Sequence, residues 1–121
     1  MDTIYIIDDN HDCAEVMALI AQSEGFHAKC FFEFSSALKA LCNGQRCCLA
    51  VVDVKVPGDM TAHDFVSEAR KHHPDLKVFV YSGINDVEKV ANELNAAGFC
   101  RKPCEPDHLI AEFNRACRKA S

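Results

Sequence analysis

Short continuous apolar runs alternate along the chain with segments whose apolar residues recur at helical spacing. The first run, from Thr3 to Ile7, is β-branched and aromatic and stops at Asp8, Asp9 and Asn10. That pattern predicts a strand buried on both faces and ending in polar residues. Cys13, Met17, Ile20 and Ala21 then follow a helical period, and Gly25 is placed to stop the helix. Residues 26–31 read as a second strand, with His27 and Lys29 alternating outward. Ser35 or Ser36 is positioned to cap a helix whose apolar face is Ala37, Leu38, Leu41 and Cys42. Cys48, Leu49, Ala50, Val51 and Val52 form an unbroken apolar strand that ends at Asp53.

After a loop containing Pro57 and Gly58, Phe65, Val66 and Ala69 mark the inner face of a helix over residues 62–71. Pro74 separates it from a fourth strand, residues 76–81, which runs into Ser82 and Gly83. Asn85 and Glu88 have capping-box spacing for a helix carrying Val87, Val90, Ala91 and Leu94, with Gly98 as its stop. A short strand from Phe99 to Arg101 leads to Lys102 and Pro103. Pro106 then opens a last helix with Leu109, Phe113, Ala116 and Cys117 facing inward. Strict alternation with short connections predicts an α/β domain: five parallel strands in one doubly wound sheet, with helices on both faces.

The 121 residues suffice for one such domain, taken as residues 1–121. A net charge of −5 opposes non-specific nucleic-acid binding, which needs basic surface. The N-terminus has no basic and apolar leader pattern, and no apolar run approaches the roughly 20 residues of a membrane span. The expectation is a cytoplasmic domain with no nucleic-acid or membrane partner. Eight cysteines fall inside apolar patterns and make no C-x-x-C pair. They read as reduced small hydrophobes rather than a disulfide framework, and a zinc site with His72 or His73 lacks ligand spacing.

Ligands of such folds bind at the carboxyl ends of the strands. There the sequence places Asp8 and Asp9 (first strand), Asp53 (third), Ser82 (fourth) and Lys102 (fifth). Each alone has an ordinary reading as a cap or a turn residue; their convergence on one edge is the specific signal. Carboxylates about 4 Å apart repel by about 4 kcal/mol at an effective dielectric of about 20. Lys102 alone does not offset three such pairs, so either a divalent cation binds or a carboxylate protonates. Oxygen-only donors suit Mg2+, which leaves positions open for a phosphoryl oxygen. Asp53 is then placed as nucleophile toward phosphorus, with Lys102 and Ser82 around the developing charge.

These motifs, Ile-Ile-Asp8-Asp9-Asn, Val-Val-Asp53 with Pro57-Gly58 downstream, Tyr-Ser82-Gly and Lys102-Pro103, resemble the receiver domain of two-component response regulators over essentially the whole chain. The resemblance implies a flavodoxin-like (βα)5 fold and a phosphoryl group accepted on Asp53 from a sensor histidine kinase or a histidine phosphotransfer protein. It further implies direct Mg2+ binding by Asp9, largely water-mediated binding by Asp8, a ligand in the backbone carbonyl of Lys55, and a cis Lys102–Pro103 bond. Ser82 and Phe99 stand at the family's switch positions, which reshape the surface of the fourth helix, fifth strand and fifth helix. The loop over residues 55–64 departs from the family: it lacks the glycine that usually opens the third helix and is one residue longer.

Three other functions compete. An unphosphorylated interaction module would keep the pocket, with the altered loop as its mark. An aspartate-nucleophile phosphohydrolase needs an acid two positions after Asp53, where Lys55 stands. A flavin site is opposed by the acids ending the first strand. No output domain follows the last helix, so the chain is expected to be either a stand-alone shuttle or a receiver from a longer regulator or hybrid kinase.

Overall fold

The computed structural model of the chain describes residues 2–117. In chain order the elements are β1 (Thr3–Ile7), α1 (His11–Ser23), β2 (His27–Phe31), α2 (Phe34–Cys42), β3 (Leu49–Val52), α3 (Ala62–His72), β4 (Val78–Ser82), α4 (Val87–Glu93), β5 (Gly98–Arg101) and α5 (Pro106–Cys117). The strands are all parallel, in the order β2-β1-β3-β4-β5. This is the doubly wound α/β arrangement that the alternating pattern predicts. The order reverses between β1 and β3, which opens a crevice at their carboxyl ends.

Strand side chains alternate between two cores, which explains why the strands read as unbroken apolar runs. Tyr5, Ile7, Ala50, Val52, Val78 and Val80 face the core shared with α2, α3 and α4. Ile4, Ile6, Leu49, Val51 and Phe79 face the opposite core, filled by Ala14 and Met17 of α1 and by Leu109 and Phe113 of α5. Loss of one such buried aromatic costs about 3–5 kcal/mol, so the strand ends rest on a rigid base.

Local signals fare less evenly. Helix α2 begins at Phe34, with Glu33 at the cap position and no side-chain cap bond, so neither Ser35 nor Ser36 caps it. Phe34 is buried and stacks on Phe65 at 5.3 Å between ring centroids, and that packing draws it into the first turn. The Asn85–Glu88 box does not form either: Asp86 holds the cap position without a side-chain bond. Beyond α4 the turn is made by Asn95 at φ 52 rather than by Gly98, which opens β5. Arg70 holds that turn by donating to the carbonyls of Leu94 and Asn95. The box that does form is Thr61 with Asp64, which starts α3 where glycine is missing.

The cysteine expectation is corrected. Cys48 bonds Cys117 and Cys100 bonds Cys104, with Cα separations of 5.3 and 6.3 Å. The first pair meets because α5 packs across β3, a tertiary proximity that spacing does not report. Cys13, Cys30, Cys42 and Cys47 remain thiols. The expected end of the last helix at Ala120 and Ser121 lies outside the described residues. Among the described residues, no helix is long and apolar enough to cross a membrane.

Candidate functional site

Each strand end delivers its side chain through the ladder that precedes it. The amide of Asp8 donates to the carbonyl of Phe31 and that of Asp53 to the carbonyl of Ile7, both at 3.0 Å, so each residue extends its strand by one position. Asp8 turns inward and is 4 % exposed, while Asp9 faces solvent. Asn10 caps α1, its side chain accepting from the Cys13 amide, and its own amide donates to Asp8 Oδ1 at 3.0 Å. Capping therefore falls to Asn10, which the sequence reading passed over, and the two acids are left for the crevice.

Asp53 is the hub. Its Oδ1 accepts from the Lys55 amide at 3.0 Å and from the Ser82 hydroxyl at 2.8 Å. Its Oδ2 accepts from Lys102 Nζ at 2.8 Å. The same Nζ lies 2.9 Å from Asp8 Oδ2 and 5.2 Å from the centroid of the Tyr81 ring. Ser82 is fully buried at the end of β4, and its carbonyl accepts from the Lys102 amide at 2.9 Å. The Lys102–Pro103 bond is cis. Tyr81 was not foreseen as a neighbour of Lys102, because an aromatic inside a strand run carries no mark of such a role.

Burial works against both charges, raising the pKa of Asp53 and lowering that of Lys102. The bonds from Lys102, from the Lys55 amide and from Ser82, with the Lys102 charge, outweigh it and hold Asp53 below the usual carboxylate range. In return, the bonds and charges of Asp53 and Asp8 raise Lys102 above the usual lysine range. Of the two expected ways to relieve the acidic cluster, protonation of Asp53 is thus disfavoured.

The cluster has the donor set of a hard cation. Asp8, Asp9 and Asp53 each offer a carboxylate oxygen, and these atoms lie within 4.8 Å of one another. Lys55 is exposed and lies at the rim, beside a 510 Å³ cavity that Gly83, Asn85 and Lys89 also line. Its amide, rather than its carbonyl, is the group bonded to Asp53. Phe99 does not join the cluster: on β5 it pairs in register with Val80 of β4, and it is 39 % exposed.

The family model for the response regulator receiver domain matches residues 4–114. The chain belongs to the response regulator receiver domain family. This receiver is 27 % identical over 117 residues to a putative NtrX-like response regulator of Rickettsia bellii, covering 94 % of the chain and 24 % of that relative. It is 26 % identical over 119 residues to the regulatory protein VanRc of Enterococcus gallinarum, covering 98 % of the chain and 51 % of that relative. The receiver thus spans about a quarter and about half of the length of these two curated relatives. Among solved structures, the NtrX receiver domain of Brucella abortus is 30 % identical with a TM-score of 0.86, covering 97 % of this chain and 99 % of that one. A CheY-like receiver of Methanospirillum hungatei shares the fold at a TM-score of 0.85 and 23 % identity, over 95 % of this chain and 92 % of that one.

Proposed function

We propose that this receiver accepts a phosphoryl group on Asp53 from a phosphohistidine of a sensor histidine kinase or a histidine phosphotransfer protein. The observation that carries the reading is the convergence of Lys102 and Ser82, from two different strand ends, on the two oxygens of Asp53. A carboxylate oxygen of Asp53 attacks phosphorus; the new P–O bond forms as the P–N bond breaks, and the imidazole of the donor leaves. Asp53, held below the usual carboxylate range, is ionised at neutral pH and offers an oxyanion for the attack. Lys102 is placed to follow the charge onto a phosphoryl oxygen, and the Ser82 hydroxyl to exchange its carboxylate partner for another.

Asp8, Asp9 and Asp53, with the carbonyl of Lys55, would hold Mg2+, which when bound neutralises charge on the transferring group. Ser82 and Phe99 are the proposed switch pair, carrying the change from the phosphoryl group to the surface of α4, β5 and α5. The receiver acts as a signalling domain that assists its own phosphoryl transfer.

Incubation with a small phosphodonor and Mg2+, followed by intact mass measurement, tests the reading. One phosphoryl adduct on the wild-type chain and none on Asp53→Asn supports it. Continuous phosphate release would favour a hydrolase. No adduct with any donor would leave an interaction module.

A further inference from the structure

Lys102 sits inside a small covalent ring. Cys100 on β5 and Cys104 before α5 are bonded to each other, so the bridge closes around Arg101, Lys102 and Pro103. Both cysteines are partly exposed and thus open to a small reagent. A ring nitrogen of His108, in the first turn of α5, lies within 4.8 Å of both sulfurs, and Glu112 stands 3.8 Å from its Nε2. His108 is placed to take a thiol proton, which would leave a thiolate, the attacking species in disulfide exchange, beside the imidazolium.

Tyr81 connects this pair to the acidic site. It is the register partner of Cys100 across the β4–β5 ladder. Its ring lies beneath the Lys102 ammonium. Cys100 thus pairs with the residue whose ring lies under Lys102, and its bridge to Cys104 closes the loop that carries Lys102.

We propose that Cys100 and Cys104 form a redox-active pair that exchanges with low-molecular-weight disulfides of the glutathione type, and that closing the bridge fixes the segment carrying Lys102. One cysteine thiolate attacks the small disulfide and releases one thiol, leaving a mixed disulfide. The other cysteine displaces the second thiol and closes the bridge. Two electrons pass from the cysteine pair to the small disulfide, and the two thiol protons leave with its halves. An effect on phosphoryl transfer rests on the reading of Asp53 as acceptor; the exchange itself does not.

The test equilibrates the full chain in buffers of graded reduced-to-oxidised glutathione ratio, traps thiols with N-ethylmaleimide and maps the cysteines by peptide mass spectrometry. The bridge is expected to form and reopen reversibly between Cys100 and Cys104, and to do so equally in the Cys48→Ser/Cys117→Ser variant. Amide hydrogen exchange at residues 100–102 and 104 should be several-fold slower in the bridged form, with no such response in Cys100→Ser/Cys104→Ser. Separate alkylation of Cys100 and Cys104 at every ratio would overturn the proposal. So would retention of both thiols around one zinc ion per chain, or equal exchange rates in the two forms. In the same samples, phosphorylation by a small phosphodonor should differ several-fold between bridged and open chains. Absence of phosphorylation in both would remove the acceptor reading and leave the redox result standing.

Discussion

The ammonium of Lys102 lies 2.8 Å from Oδ2 of Asp53, although 49 residues separate the two in sequence. The contact joins the end of β3 to the residue after β5, with β4 between them. Ser82, at the end of that middle strand, donates to the other oxygen of Asp53. Three adjacent strand ends therefore share one carboxylate, and Asp8 on the far side of β3 shares the lysine. The arrangement balances part of the acidic charge while leaving Asp9 toward solvent.

Lys102→Ala removes the only ammonium in contact with Asp8 and Asp53 among the described residues. Carboxylate oxygens within 4.8 Å then face each other, a repulsion of about 3 kcal/mol at an effective dielectric of about 20. Urea unfolding in a metal chelator should show the variant destabilised by about 2–4 kcal/mol. Added Mg2+ should recover more stability in the variant than in the wild type. Equal Mg2+ effects on both would separate the lysine from the cation site.

The pKa directions set the pH dependence. Asp53 is held below its unfolded value, so its contribution is present above the unfolded carboxylate pKa of about 3.9 and is lost as pH falls through the folded value. Lys102 is raised, so its contribution is complete below the unfolded lysine pKa of about 10.4 and is lost as pH rises through its higher folded value. In metal-free buffer, denaturation midpoints should fall on the acid side less steeply for Asp53→Asn than for wild type. Parallel acid limbs would show that other carboxylates carry the dependence.

Lys55 brings a flexible cation two residues past Asp53, the proposed acceptor, on the exposed rim of the site. Its amide is engaged by Asp53, which leaves the side chain to restrict an attacking water or to pair with the phosphoryl group. Lys55→Ala should shorten the half-life of the aspartyl phosphate without preventing its formation. An unchanged half-life, followed by phosphate release from the isolated phosphoprotein, would remove the role.

The strand ends were legible because their physics is local. A run buried on both faces must be apolar, so the acid that stops it at Asp8 or Asp53 marks the sheet edge. Long-range packing decided what the sequence misread. Phe34 entered α2 because it stacks on Phe65, and Asn95 replaced Gly98 as the turn because Arg70 reaches its carbonyl. Thr61 and Asp64 have capping-box spacing, and their reciprocal bonds start α3 without the glycine that the loop lacks. The Cys48–Cys117 pairing depends on α5 crossing β3, which no interval between cysteines encodes.

The Cys48–Cys117 bridge has a sequence separation of 69 residues and ties β3 to α5. In the chain-entropy account, a loop of that size corresponds to about 4 kcal/mol. Cys48→Ser/Cys117→Ser should lower the unfolding free energy of the oxidised protein by up to about that amount. Dithiothreitol should destabilise the wild type more than the variant. Equal sensitivity to reductant would show that this bridge contributes little.

The most direct measurement locates the phosphoryl group itself. The chain is treated with a phosphodonor and Mg2+, then reduced with borohydride, which converts an aspartyl phosphate to homoserine, and mapped by peptide mass spectrometry. The account predicts homoserine at position 53 and at no other aspartate, and none when Mg2+ is chelated. Homoserine at position 8 or 9, or an unmodified Asp53 with the donor consumed, would contradict it.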